Sequence, residues 1–289
     1  MRTLQNVSMK KYTTYKTGGN VKIMYFPENE DELIELLKKL RKEEEKFYII
    51  GNGSNLIVDD NDFNGSIINM KDLNKYKIED GKVYCDAGVM LPILANDTIN
   101  NSYSGLEWSI SIPGTVGASV FNNAGAYGSD MSNVVECVKV LDEDFNIVIF
   151  NNEDCKFEYR DSIFKKIRKY IILSCVIDLE KSNKEEMLEK AADRRKRRIE
   201  SQPLEYPSAG SVFRNPSSEF PAGKLIEDVG LKGKKIGGAM VSEKHANFIV
   251  NIDNASSNDI KNLIKLIKEK IKEEYNIDLK LEQEIINWE

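Results

Sequence analysis

Gly105-Leu106-Glu107-Trp108-Ser109-Ile110-Ser111-Ile112-Pro113-Gly114-Thr115-Val116-Gly117-Ala118, followed by Asn122-Asn123-Ala124-Gly125-Ala126, is the most informative stretch of the chain. A glycine where bare backbone approaches a ligand, then a short run able to start a helix, presents N–H groups to an anion. Pro113 stands well just ahead of such a start. Small side chains at Gly117, Ala118, Ala124, Gly125 and Ala126 leave room for a planar ring. The amides of Asn122 and Asn123 both donate and accept, which suits the edge of a polar heterocycle. The block reads as a cradle for a large phosphate-bearing cofactor, although a set of tight turns uses the same residues.

A second cluster, Gly51-Asn52-Gly53-Ser54-Asn55-Leu56-Ile57-Val58, follows directly on the apolar run Phe47-Tyr48-Ile49-Ile50. A strand that ends in a Gly-x-Gly-Ser turn forms a backbone nest for a pyrophosphate. This is not the dinucleotide fingerprint, because Leu56 stands where the third glycine belongs and another strand-like run replaces the helix. A Rossmann fold is therefore disfavoured, while a phosphate-bearing cofactor is not.

With Thr17-Gly18-Gly19, the two clusters resemble the UDP-N-acetylenolpyruvoylglucosamine reductases, the flavoenzymes of peptidoglycan precursor synthesis. The resemblance continues through Tyr159-Arg160-Asp161-Ser162 and Pro207-Ser208-Ala209-Gly210-Ser211-Val212-Phe213-Arg214-Asn215-Pro216. It then takes in Pro221 to Glu227, Gly237 to Asn251, and Leu281-Glu282-Gln283-Glu284-Ile285-Ile286. It implies an α+β chain: an FAD-binding domain of the PCMH, or vanillyl-alcohol-oxidase-like, type, then a smaller α/β substrate-binding domain. The domains are placed at residues 1–181 and 182–289. The implied reaction is the NADPH-dependent, FAD-mediated reduction of UDP-N-acetylglucosamine enolpyruvate to UDP-N-acetylmuramate. FAD contacts are implied at Gly51, Asn52, Gly53, Ser54, Asn55, Pro113, Gly114, Thr115, Gly117, Ala118, Asn122, Ala124 and Gly125. Related flavin oxidases often link the ring to a histidine near the first cluster. Ser54 stands there in this chain, so the flavin is expected to be non-covalent.

Composition agrees. With 289 residues the chain is long enough for two domains. Its formal charge of −6, from 41 basic and 47 acidic side chains, offers no basic excess for nucleic acid. No apolar run approaches the ~20 residues of a membrane span, and Met1-Arg2-Thr3-Leu4-Gln5 lacks a signal peptide's apolar stretch, so membrane insertion is not expected and a cytoplasmic location is. Cys85, Cys137, Cys155 and Cys175 include no Cys-x-x-Cys pair, and His245 is the only histidine, so no metal site is expected. His245 reads as a structural hydrogen-bonding group in preference to a substrate contact. Arg194-Arg195-Lys196-Arg197-Arg198 spreads around a helix with no aromatic interleaved, and reads as a solvated or inter-domain helix.

Leu33, Ile34, Leu36, Leu37 and Leu40 predict a helix within 30–45, and Ile260, Leu263, Ile264 and Ile267 another from Ser257 to about Glu274. A charged connecting helix is predicted over 182–201. Strands are predicted over 21–26, 47–50, 66–70, 83–85, 134–141, 147–150, 170–179 and 247–252, with an edge strand over 281–286.

Reducing an enolpyruvyl ether delivers hydride to one vinyl carbon while the neighbouring carbon, conjugated to a carboxylate, becomes enolate-like and is then protonated. A fixed cation on the carboxylate serves the first need and a positioned proton donor the second. The resemblance assigns Arg160 as the cation, Ser211 as the donor with Ser208 as the competing hydroxyl, and Glu284 as the supporting acid with Glu282 as its alternative. Tyr159, Arg214, Asn215 and Lys224 are assigned to substrate, and Lys244 is a further basic candidate. The tail departs from the family in reading Ile285-Ile286-Asn287-Trp288-Glu289 where a basic residue and a glycine are expected. The short spacing from Arg160 to Ser211 suggests the form that lacks a tyrosine-bearing substrate loop. Two other classes are a flavin oxidase of the same superfamily and a non-enzymatic protein binding nucleotide sugar or nucleic acid.

Overall fold

The computed structural model describes residues 1–286. Helix α1 (Glu30–Lys42) forms because Asn29 caps it, its side chain accepting from the Glu32 N–H at 3.0 Å. Acidic residues fill the first turn and basic ones the last, complementing the helix dipole, while Leu33, Leu36, Leu37 and Leu40 are buried on one stripe. Helix α2 (Leu91–Asn100) has Pro92 in its first turn and buries Leu91, Leu94, Ala95, Thr98 and Ile99. Helices α3 (Val116–Asn122) and α4 (Ile163–Ile167) are short, and α5 (Lys184–Ser201) is the predicted charged helix. Helix α6 (Ala222–Asp228) precedes α7 (Ser257–Tyr275), which starts with a capping box between Ser256 and Asp259.

The chain forms two compact units: residues 1–3, 24–52 and 67–197, and residues 4–23, 53–66 and 198 onward. The linear division at 181/182 expected from sequence does not describe this interleaving. Strands Arg2–Ser8, Asn20–Phe26 and Phe63–Asn69 each begin in one unit and end in the other, and the last crossing falls inside α5.

The first unit holds a five-stranded antiparallel sheet in the order Ile147–Asn151, Val135–Leu141, Ile171–Asp178, Lys82–Asp86, Tyr76–Glu79. Its outermost hairpin closes with Glu79 opposite Lys82, through Asp80 at φ 49° and Gly81 at φ 88°. Two consecutive left-handed residues are what a two-residue hairpin of matching twist requires, and Asp-Gly supplies them at low cost. Helix α3 packs against the Ile171–Asp178 and Lys82–Asp86 strands.

The second unit holds the antiparallel strands Lys235–Ile236, Ala239–Val241 and Ile249–Asn251, covered by α7. Its core gathers Ile57, Phe213, Ile226, Val241, Ile249, Ile260, Leu263, Ile267 and Leu279 around the buried ring of Tyr15. The last described strand, Glu284–Ile286, runs parallel to Leu56–Val58, pairing Glu284 with Leu56 and Ile286 with Val58.

Ile267 is 1 % exposed in the middle of the α7 stripe. Ile267→Ala is expected to lower the unfolding free energy by about 2–5 kcal/mol, read from the urea midpoint.

Candidate active site

In the first unit Gly51 and Asn52, which open the first glycine cluster, meet the second cluster. The Asn52 side-chain amide donates to the Pro113 carbonyl at 2.7 Å. A Cβ on Gly51 would stand 2.5 Å from the Thr115 hydroxyl oxygen, so only glycine allows this approach. Thr115 caps α3, its hydroxyl accepting from the Ala118 N–H at 3.4 Å.

The start of α3 does not offer its amides to an anion as the sequence suggested. The Val116 N–H donates to Val89 and the Gly117 N–H to Ala87, both at 2.8 Å, and the Ala118 N–H is taken by Thr115. Gly117 serves close packing instead, since its Cβ would lie 2.7 Å from that of Ala87. The N–H groups of Gly51, Asn52, Gly53 and Ser54, by contrast, donate to no acceptor among the described residues. This loop, unlike Val116, Gly117 and Ala118, leaves its N–H groups available to an anion.

Asn122 and Asn123 also differ from the expectation of a heterocycle contact. Asn122 donates to the Ala118 carbonyl at 3.0 Å and accepts from the Lys165 ammonium at 2.8 Å. Asn123, buried and left-handed at φ 42°, donates to the Glu158 carbonyl and accepts from the Ser132 N–H, each at 3.0 Å. The Asn122 amide links the end of α3 to α4, and that of Asn123 ties two loop segments together. The N–H of Ala124 returns to Ser119, and Gly125 lies in a tight hairpin against Asp130 that a Cβ would disrupt.

Arg160 occupies the tip of a closed turn. Glu158 and Asp161 exchange backbone hydrogen bonds at 3.0 and 3.1 Å, and Arg160 itself is left-handed at φ 57°. Its guanidinium donates to the Gly125 carbonyl at 2.8 Å and lies 5.3 Å from the centre of the exposed Tyr159 ring. Ser162 donates to the Phe121 carbonyl at 2.7 Å and caps α4, anchoring the turn.

In the second unit the Ser211 segment is gripped on two sides. Asn247 accepts from the Phe213 N–H at 3.0 Å and donates to the Phe213 carbonyl at 2.8 Å, and its own carbonyl accepts from Val212. Gln283 donates to the carbonyls of Ala209 and Gly210 at 3.1 and 3.0 Å. The hydroxyls of Ser208 and Ser211 have no partner among the described residues. The tail runs alongside: Phe213 bridges Leu281, Glu282 donates its N–H to Val212, and Glu284 donates its N–H to Asn55. Ser211, Glu282 and Glu284 thus lie on neighbouring segments, all half-buried. Of the run 285–289, in which a basic residue and a glycine were expected, residues 287–289 are outside the described residues. Sequence reading missed Gln283 and Asn247, whose only signal was a buried position beside charged or small neighbours.

The remaining candidates are held locally. Asn215 accepts from the Ala222 N–H at 3.0 Å, and Arg214 donates its main-chain N–H to Lys280 at 2.9 Å. The Lys224 ammonium pairs with Asp228 at 2.6 Å, and that of Lys244 donates to the Ile199 carbonyl at 2.6 Å. His245 accepts at Nδ1 from the Asn247 N–H at 3.2 Å, which places the proton of its neutral ring on Nε2. Burial pushes its pKa below the ordinary value.

Comparison with known proteins follows this geometry. Residues 202–286 match the profile of the UDP-N-acetylenolpyruvoylglucosamine reductase C-terminal domain, and residues 21–151 that of an FAD binding domain. The UDP-N-acetylenolpyruvoylglucosamine reductase of Caldanaerobacter subterraneus subsp. tengcongensis is 44 % identical over 97 % of this chain and 92 % of its own length. That of Clostridium kluyveri is 41 % identical over 96 % and 91 %. The crystal structure of the reductase from Thermus caldophilus superposes with a TM-score of 0.84 at 33 % identity, covering all of both chains.

The depressed pKa of His245 has a consequence for stability. Below its ordinary value of about 6.5 the unfolded chain takes up a proton that the folded site resists, so this residue lowers stability as pH falls through that value. His245→Gln removes the effect. The drop in urea midpoint between pH 8 and pH 6 is expected to be smaller in the variant than in the parent.

Proposed function

Because this chain belongs to the UDP-N-acetylenolpyruvoylglucosamine reductase family, we propose that it reduces the enolpyruvyl ether of a UDP-linked amino sugar, with NADPH as hydride donor and FAD as cofactor. The observation that carries this reading is likeness to named reductases over nearly the whole of both chains. The product is UDP-N-acetylmuramate, and the place of the reaction is peptidoglycan precursor synthesis in the cytoplasm, where NADPH and nucleotide sugars are available. Among the described residues no helix is long and apolar enough to cross a membrane.

The protein fits the cofactor at the Gly51–Ser54 loop, whose unengaged N–H groups suit a pyrophosphate. Asn55, Pro113, Gly114 and Thr115 complete the proposed FAD contacts near that loop in sequence or through the Asn52–Pro113 bond. Gly117, Ala118, Asn122, Ala124 and Gly125 act in this reading mainly by holding the cradle's shape. The FAD-binding role is assigned to the portion that includes residues 21–151 and substrate binding to the portion that includes 202–286, in keeping with the two matched profiles. Bound FAD supplies the two-electron relay that carries hydride from NADPH to the vinyl carbon.

The protein's own work is charge and proton management. Arg160 grips the substrate carboxylate and remains cationic throughout, so the negative charge that builds on the carbon beside that carboxylate is stabilised. Its turn and its bond to Gly125 hold the guanidinium in advance of substrate. Ser211 gives its hydroxyl proton to that carbon, and its two gripping contacts fix the main chain from which the hydroxyl projects. Glu284 supports the proton network from the adjoining strand. Tyr159, Arg214, Asn215 and Lys224 are assigned to the UDP-sugar; release of Lys224 from Asp228 would make its charge available to the diphosphate.

An anaerobic absorbance spectrum tests the reading. A flavin band that bleaches with NADPH and returns with the UDP-enolpyruvyl sugar is the expected result; failure to return discards the substrate. Ser211→Ala is expected to keep NADPH bleaching at the parent rate and slow the return by about a hundredfold or more, within the usual range for loss of a general acid. Arg160→Ala is expected to weaken sugar binding as well as slow the return. Unchanged behaviour in both respects removes Arg160 from the site.

A further inference from the structure

The Gln283 side of the grip on the Ser211 segment is the end of a longer buried polar chain in the second unit. Tyr15 is completely buried, and its hydroxyl donates to the side-chain oxygen of Gln283 at 3.1 Å. Gln283, only 3 % exposed, turns its nitrogen to two carbonyls at once, those of Ala209 at 3.1 Å and Gly210 at 3.0 Å. Every contact agrees on the amide's orientation, since its oxygen meets a donor and its nitrogen meets two acceptors. Tyr15 is fixed in turn by Asn251, which donates to the Tyr15 carbonyl at 2.9 Å and whose own N–H reaches Pro207 at 2.9 Å.

The carbonyl of Gly210 belongs to the peptide that leads into Ser211. Gly210 is left-handed at φ 78°, and a Cβ there would meet nothing within 4 Å. With no Cβ to confine it, the run through Gly210 is held on its N-terminal side by the two bonds from Gln283, one to each of the consecutive 209–210 and 210–211 peptides, and on its C-terminal side by Asn247. An apolar pair in place of Tyr15 and Gln283 would fill the same core without the desolvation of two polar groups. The polar pair does something packing would not: it sets the direction of two consecutive peptide planes, those of 209–210 and 210–211.

We infer that Tyr15 and Gln283 form a positioning relay that fixes the Gly210–Ser211 peptide and so aims the Ser211 hydroxyl at the carbon it protonates. This inference rests on Ser211 being the proton donor. Neither residue touches substrate; both act through the main chain of the 209–211 segment. Tyr15 holds the amide of Gln283 in the one orientation that donates to both carbonyls, and Gln283 holds the peptide.

The test uses the FAD-loaded enzyme and three variants, Gln283→Leu, Tyr15→Phe and Ser211→Ala, with the two half-reactions followed separately by stopped-flow absorbance. In Gln283→Leu the bleaching by NADPH and the affinity for the UDP-enolpyruvyl sugar are expected to match the parent. The sugar-driven return is expected to slow by roughly tenfold to a hundredfold, the usual effect of a small misplacement of a reacting group. The solvent deuterium isotope effect on that step is expected to rise, because proton delivery becomes the slow event. Tyr15→Phe keeps the ring and loses the bond that orients Gln283, so it should show the same pattern in weaker form. A purely structural pair would lower the melting temperature and leave the isotope effect alone, and parent-like return and isotope effect in folded Gln283→Leu overturn the relay. Should Gln283→Leu not fold, Tyr15→Phe decides by the same criteria. If Ser211→Ala returns at the parent rate, the assignment of Ser211 fails and the relay falls with it; slowed Ser211→Ala beside parent-like Gln283→Leu rejects the relay alone.

Discussion

A strip of seven residues, 280 to 286, is paired on both sides, and the second unit depends on that pairing. On one side Lys280 accepts from the Arg214 N–H, Leu281 bridges Phe213, and the Glu282 N–H donates to Val212, with both hydrogen bonds at 2.9 Å. On the other side the Glu284 N–H donates to Asn55 at 2.9 Å, the Asn55 amide donates to the Glu282 carbonyl at 3.1 Å, and the parallel pairing with Leu56–Val58 begins. These partners are far apart in sequence, so the strip closes long loops whose ordering entropy must be offset by the burial around it. Once closed, it fixes the relative position of the end of the first glycine cluster, the candidate acid and the candidate hydroxyl through backbone bonds and the Asn55 amide.

Local signals were legible where one element carries its own pattern. The predicted strand over 47–50 has those bounds in the structure, and α1 and α7 follow their leucine and isoleucine stripes, ending close to the predicted limits. Helix α2 was missed although Leu91, Leu94, Ala95, Thr98 and Ile99 share a face, because Asn96, Asp97 and Asn100 dilute the pattern in so short a segment. Strand Arg2–Ser8 buries only Val7, so no alternation announces it. The interleaving of the two units could not be read at all, since it depends on pairings such as Glu284 with Leu56.

The site was legible by residue type and less so by role. A free helix terminus and an occupied one have the same sequence. The acceptors that satisfy Val116 and Gly117 are the carbonyls of Val89 and Ala87, which nothing in residues 113–118 reveals. Asn122 and Asn123 were read as ligand edges, and their amides also hold Lys165 and the Glu158 carbonyl, partners that lie 43 and 35 residues away and so are not visible in the local sequence. Gln283 offered a clue that was passed over. In a strand that places Glu282 and Glu284 on one face, the residue between them faces the other way, and a buried glutamine must find partners.

Arg160 shows how position and conformation together make an argument that neither makes alone. A left-handed backbone costs a residue with a Cβ on the order of 1 kcal/mol, and Lys16, Glu44 and Phe145 accept that cost as well, so a positive φ is no signature of function. What distinguishes Arg160 is where its side chain goes. The turn that imposes φ 57° is closed by reciprocal bonds between Glu158 and Asp161, and the guanidinium is tied to the Gly125 carbonyl at 2.8 Å. An arginine on an extended backbone must surrender much of its rotamer freedom when it grips a carboxylate. Here part of that ordering is already present in the fold, because a tight turn sets where the side chain starts and a carbonyl limits where it ends. The backbone strain and the ordered guanidinium are therefore two sides of one arrangement, in which folding orients the cation in advance of the carboxylate proposed for it.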